Sequence, residues 1–408
     1  MGIGRQVTAV AALTAVPVLL ALVACGAPPP VAMPPATASP ERPGPDAPPG
    51  TLLEVRVVND PHPSLTQIGA RMWQVRYASR SGLDDAAIEV TGVVIEPAGA
   101  PPAGGWPVVS YAHGTTGIAD VCAPSRSPDL LGQLPVVLPL VEQGYLVTAT
   151  DYEGLGTGDP HPYLQPVSEG RGVIDAVHAA RELVPTASRR WVAFGISQGG
   201  QGAWAAGELA GEWGRGLDYL GAAALAPPTD LGSLVDEVPD DLSPQQQALY
   251  PVVLTSLQLR HPELDFADYL SGGALAALPA VLHSCDNTVF TQFPPADFTP
   301  RSPEVLEQAR AWLDELALPS RPAGPLFVAA GTADSLVPVA TVDAAVKQAC
   351  AFGDAVEYRR YPGAGHPALP AAGPDALRWI DDRFAGLPVP STCWTGIWPA
   401  VPLVPGPS

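Results

Sequence analysis

From residue 52 onward the chain alternates short apolar runs with segments whose apolar residues recur every three or four positions. The runs at 52–58, 71–77 and 89–95 read as strands of an antiparallel start. A Pro/Gly turn spans 101–106, and 108–111 is a buried strand leading into His113-Gly114. A helix is predicted over 134–143 and a second buried strand over 145–150. Residues 170–183 carry Val173, Ala176, Val177 and Ala180 at helical spacing. The apolar run 191–194 and the Ala-rich helix after Gln198 complete a strand–helix–strand–helix series. Such alternation predicts a mostly parallel central sheet covered by helices on both faces, with right-handed crossovers.

The next apolar strand, 220–225, ends at Ala226-Pro227-Pro228, and the rhythm then pauses. Helix-like pieces follow at 244–257, 266–270, 273–282 and 303–316, with a loop at 290–300. The rhythm resumes with strands at 325–330 and 356–361 and helices at 338–352 and 373–384. A loop as long as 229–323 with no role is uncommon. It is expected to be a mainly helical cap over the carboxyl ends of the strands; a plain helical connection is the alternative. The core is then split into 51–228 and 324–387, and 408 residues suffice for one large core plus an insert.

The two ends change the setting. Residues 1–24 combine Arg5 with an apolar run and read as a signal peptide, with a membrane anchor as the competing reading. Leu22-Val23-Ala24-Cys25 has the form of a lipobox, so Cys25 is expected to carry lipid and to tether the protein to a membrane surface. Residues 26–50, rich in Pro and Ala, read as an extended spacer. The protein is thus expected outside the cytoplasm, as an envelope lipoprotein or a secreted chain. Without Cys25, four of the five cysteines remain: Cys122, Cys285, Cys350 and Cys393. In an exported protein they suggest two disulfides, with three possible pairings. Their wide spacing gives no metal site, and no cofactor is implied. A net charge of −20 argues against a nucleic-acid partner. A monomer is expected.

The chemistry centres on Gly195-Ile196-Ser197-Gln198-Gly199, between a strand and a helix. Gly195 and Gly199 permit the tight turn of a nucleophile elbow, which exposes the Ser197 hydroxyl. A serine needs a base. His366 follows the 356–361 strand and is the last histidine of the chain. Asp334 follows the 325–330 strand and would orient it, whereas Asp343 falls inside the next helix. The oxyanion would be met by the backbone N–H of Gln198 and one from the loop after 108–111, that of Gly114 or Thr115. His113 is expected to hold that loop. The loop Asp151-Tyr-Glu153-Gly-Leu-Gly lacks the dinucleotide-binding glycine spacing and reads as an active-site wall.

Several short signatures agree in order across residues 50–400: Tyr111-Ala-His-Gly-Thr-Thr-Gly, Cys122-Ala-Pro-Ser125, Asp151-Tyr-Glu-Gly-Leu-Gly, His161-Pro-Tyr-Leu164, the Ser197 elbow, Gly331-Thr-Ala-Asp334 and Gly365-His366. Together they resemble the secretory lipases typified by the fungal lipase A, an α/β-hydrolase family with many actinobacterial relatives. The resemblance implies an α/β-hydrolase fold with a helical cap and a triad at Ser197, Asp334 and His366. It also implies disulfides Cys122–Cys285 and Cys350–Cys393, and a C-terminal flap over 388–408 with Trp394 and Trp398. The expected activity is hydrolysis of lipid or other carboxylic esters through an acyl-enzyme. Phe290 and Phe293 in the insert would suit an acyl chain, unless they form the cap's own core. A peptidase or acyltransferase with the same triad, and a non-enzymatic surface binder on this scaffold, are the alternatives.

Overall fold

The computed structural model describes residues 47–238, 242–366 and 372–393. The expected signal peptide, Cys25, nearly all of the spacer, and Trp394 and Trp398 of the flap lie outside them. No helix among the described residues is long and apolar enough to cross a membrane.

Nine strands form one sheet: β1 (Leu52–Val57), β2 (Arg71–Arg80), β3 (Ala87–Glu96), β4 (Trp106–Ala112), β5 (Leu146–Thr150), β6 (Ala187–Ile196), β7 (Asp218–Leu225), β8 (Leu326–Gly331) and β9 (Val356–Tyr361). Their spatial order is β1-β2-β3-β5-β4-β6-β7-β8-β9. The first three strands run antiparallel to their neighbours, and β4 through β9 pair in parallel. The helices are α1 (Pro63–Gln67), α2 (Leu134–Glu142), α3 (Pro166–Leu183), α4 (Gln198–Trp213), α5 (Pro244–Arg260), α6 (Gly272–Ala277), α7 (Pro303–Asp314), α8 (Val339–Phe352) and α9 (Gly373–Phe384).

The period-2 alternation of the inner strands sorts their side chains between two cores. Trp191 and Ala193 of β6 face α3, α4 and α8, while Val192 and Phe194 face α2 and α9. Burial on both faces is why these strands read as unbroken apolar runs. The largely helical insert, α5 to α7, has a third core of its own. Phe290 is fully buried there and the partly buried Phe293 packs against it, so both belong to the insert's own core.

Some boundaries differ from the sequence pattern. β4 begins at Trp106, inside the expected turn, because its backbone N–H bonds the Thr186 carbonyl and its indole donates to Glu96. α3 begins at Pro166, where the Gln165 side chain accepts from the Ser168 N–H. That polar start carries no apolar period. α1 was not expected, and the expected loop 290–300 overlaps one 3₁₀ turn, Thr288–Gln292, and contains another, Pro295–Phe298. Disulfides join Cys122 to Cys285 and Cys350 to Cys393. The first fastens the chain after β4 to the insert, and the second fastens the C-terminal segment to α8.

Candidate active site

Ser197 stands between β6 and α4 with φ 59° and ψ −125°, a strained conformation for a residue with a side chain. The turn is held because its N–H donates to Leu225 O of β7, 2.8 Å away. Its two glycines are required by close approach. A Cβ on Gly195 would lie 2.2 Å from Gly199 O, and one on Gly199 would lie 1.9 Å from Ala112 O. The end of β4 therefore abuts the elbow directly.

His366 follows β9 and Asp334 follows β8. The two loops are laced together: Ala333 N–H donates to Ala364 O, Thr332 N–H to Tyr361 O, and Gly363 N–H to Thr332 Oγ1. His366 Nδ1 lies 2.8 Å from Asp334 Oδ2, and His366 Nε2 lies 2.9 Å from Ser197 Oγ. The carboxylate can only accept, so Nδ1 carries the proton of the neutral ring. Nε2 is left to accept from the Ser197 hydroxyl. Asp334 is 7% exposed, and its Oδ1 accepts from the N–H groups of Leu336 and Val337. Asp343 is engaged elsewhere, with Tyr358 and Arg360.

In the loop after β4, Gly114 N–H donates at 3.4 Å to Gln133 Oε1, and the Thr115 hydroxyl meets Tyr163 Oη at 2.7 Å. His113 is buried; its Nδ1–H donates to Gly114 O, and its ring packs on Tyr152 with centroids 4.4 Å apart. Burial lowers its pKa, favouring a neutral ring. Asp151 accepts from Thr91 Oγ1 and Ser125 N–H, while burial pushes its pKa up. Glu153 accepts from Gly82 N–H and Ser168 Oγ. These three residues brace loops behind the elbow and are not among those lining the cavity at Ser197. Among the described residues, no cluster of His, Cys, Asp and Glu could hold a metal ion.

That cavity, of about 90 Å³, runs from Ser197 and Gln198 into the insert. Its walls are aliphatic, including Leu231, Leu249, Val253, Leu257 and Leu313. The arrangement offers a hydroxyl, a base to take its proton and an apolar cavity beside them.

Sequence reasoning missed two buried partners of the elbow. Glu169 of α3 and His161 both meet the Gln198 side chain. Burial raises the Glu169 pKa to about 8 and lowers that of His161 to about 4. His161 falls in a signature of the resemblance, but nothing local distinguishes Glu169 from a solvated helix residue.

The chain is similar to probable inactive lipase MT1628 of Mycobacterium tuberculosis, with 27% identity over 382 residues, covering 86% of this chain and 82% of that protein. It is 24% identical to Lipase 6 of Candida albicans over 386 residues, covering 85% and 80%. The crystal structure of Candida antarctica lipase A superposes with a TM-score of 0.72 at 19% identity, covering 86% and 85% of the two chains. At that identity the superposition speaks for the fold, a mostly parallel sheet with a largely helical cap-like insert. The family assignment comes from residues 131–392, which match the secretory lipase family. This segment takes in the elbow, the insert and both later strand-end loops: the chain belongs to the secretory lipases, within the α/β hydrolases.

Proposed function

We infer that the protein is a carboxylic ester hydrolase acting through an acyl-enzyme on Ser197. The observation that carries this reading is the chain of contacts from Asp334 through His366 to the Ser197 hydroxyl. Ser197 Oγ attacks the ester carbonyl carbon as its proton passes to His366 Nε2. Asp334 holds the ring and stabilises the imidazolium that forms. The tetrahedral oxyanion takes hydrogen bonds from the Gln198 N–H and from the Gly114–Thr115 segment. Gly114 N–H already donates to Gln133, which favours the Thr115 N–H as the second donor. Collapse breaks the ester C–O bond, and the leaving alkoxide takes the proton from Nε2. Water, deprotonated by His366, then releases the acid.

The aliphatic cavity supports lipid esters as the substrate class, with the acyl chain in the insert and residues 229–323 acting as its cap. The mycobacterial relative supports an actinobacterial origin within the family. The lipobox at Cys25 supports export and a lipid anchor at the cell envelope. The test is hydrolysis of aryl esters of rising chain length beside emulsified triacylglycerol. Turnover that persists or rises beyond butyrate supports the lipid-ester reading, and a sharp optimum at acetate leaves a short-chain esterase.

One relative is named an inactive lipase, which raises a non-catalytic reading. The hydrogen-bonded Ser197, His366 and Asp334 of this chain favour catalysis.

A further inference from the structure

We propose that Glu169 and His161 are positioning residues for ester cleavage, clamping the carboxamide of Gln198 so that its backbone N–H is aimed at the oxyanion. The proposal rests on reading Ser197 as the nucleophile.

Gln198 opens α4, and the first N–H groups of a helix have no intrahelical acceptor. The orientation of this N–H therefore depends on what holds the residue. Gln198 is 1% exposed, and its Nε2 donates to Glu169 Oε1 at 3.0 Å and meets His161 Nε2 at 3.2 Å. The His161 contact has a definite sense. Nδ1 lies 2.7 Å from Glu153 O, a carbonyl that can only accept, so Nδ1 carries the proton. Nε2 of the neutral ring then accepts, and the two hydrogens of the carboxamide nitrogen are both used.

Glu169 is placed for this role by the packing of α3 against α4. A Cβ on Gly202 would lie 3.4 Å from Glu169 Cβ and 3.5 Å from its Oε2, so the absence of a side chain there lets α3 and α4 meet at this carboxyl. Oε1 also accepts from Leu164 N–H, at 3.2 Å, which ties the elbow to a residue lining the cavity. Oε2 is buried without a hydrogen-bond partner. An ionised carboxylate is costly in that setting, and burial pushes the group's pKa up to about 8. Glutamine is then a faithful replacement, while leucine keeps the volume and removes the acceptor.

The experiment compares the full chain with Glu169→Leu, Glu169→Gln, His161→Leu and Gln198→Ala. Turnover of p-nitrophenyl butyrate is measured alongside inhibition by an arylboronic acid, which forms a tetrahedral anion on the serine. Glu169→Leu and His161→Leu are expected to lower kcat on the order of tenfold, with KM within about twofold and boronate affinity reduced by about the same factor. Glu169→Gln is expected to restore kcat to within about threefold. A Glu169→Leu enzyme with unchanged kcat overturns the clamp. So does a loss that glutamine fails to rescue, or a fall in kcat with boronate affinity intact. If Glu169→Leu does not fold, Gln198→Ala removes the shared carboxamide at a helix start that tolerates alanine. The same paired losses are expected there, and unchanged kcat overturns the proposal. Absence of ester turnover in the unmodified chain would overturn the nucleophile reading, and the clamp with it. Normal turnover there, with Glu169→Leu unaffected, overturns the clamp alone.

Discussion

His366 Nε2 stands 2.9 Å from Ser197 Oγ although 169 residues separate them along the chain. The parallel sheet closes that distance. β6 ends at the elbow, β7 accepts the Ser197 N–H, and the loops after β8 and β9 are bonded to one another beside it. The carboxyl ends of several strands thus converge on one hydroxyl.

Asp334 and Asp343 separate orientation from simple proximity in sequence. Asp334→Asn is expected to lower kcat by roughly 10⁴-fold while the fold persists, because an amide nitrogen can turn the ring to the wrong tautomer. Asp343→Asn, which touches Tyr358 and Arg360, is expected to leave butyrate turnover within about twofold, since its partners lie away from Ser197. Steady-state kinetics on the two purified variants checks this.

Stability is expected to fall as pH rises from about 6.5 to about 8. Burial raises the Glu169 pKa from 4.5 to about 8 and that of Asp175 from 3.8 to about 7. Through this window the folded chain holds protons that the unfolded chain has released, so raising the pH favours unfolding. Below about pH 6.5 buried His161, lowered to about 4, acts in the opposite sense. Urea unfolding at several pH values should show the alkaline decline, and Glu169→Gln and Asp175→Asn should each flatten it.

The Cys122–Cys285 bridge supports the loop that is proposed to meet the oxyanion. Thr116 Oγ1 donates to Cys122 O, and a Cβ on Gly117 would lie 2.9 Å from Cys122 Sγ. Replacing both cysteines by alanine is expected to cost about 2–4 kcal/mol in urea unfolding. It should also lower butyrate turnover, because the Gly114–Gly117 segment loses its backing.

Val253 of α5 lines the aliphatic cavity. Val253→Trp is expected to lower kcat/KM for a long-chain aryl ester relative to the acetate by about 1–3 kcal/mol, or 10–200-fold. Equal loss on both esters would place the acyl chain elsewhere.

The fold class was legible because strands buried on both faces keep unbroken apolar runs, and because Gly and Pro mark their ends. The positions of Ser197, His366 and Asp334 were legible for the same reason: each falls just beyond such a run. What was not legible depended on packing between elements. Glu169 reads as an ordinary polar helix residue until α4 is laid against α3. Phe290 and Phe293 suit either an acyl chain or the insert's own core until the packing of the insert decides between them. The start of α3 at Pro166 was hidden because its first turn is held by a side-chain cap and carries no apolar period.

The assignment of Ser197 as the nucleophile of an ester hydrolase can be tested by covalent labelling. The most direct measurement treats the pure chain and Ser197→Ala with a fluorophosphonate, maps the modified residue by mass spectrometry, and follows aryl butyrate turnover in the same samples. One label is expected, on Ser197, with turnover lost both on labelling and in the alanine variant. Full turnover by Ser197→Ala, or a label on another residue, would contradict it.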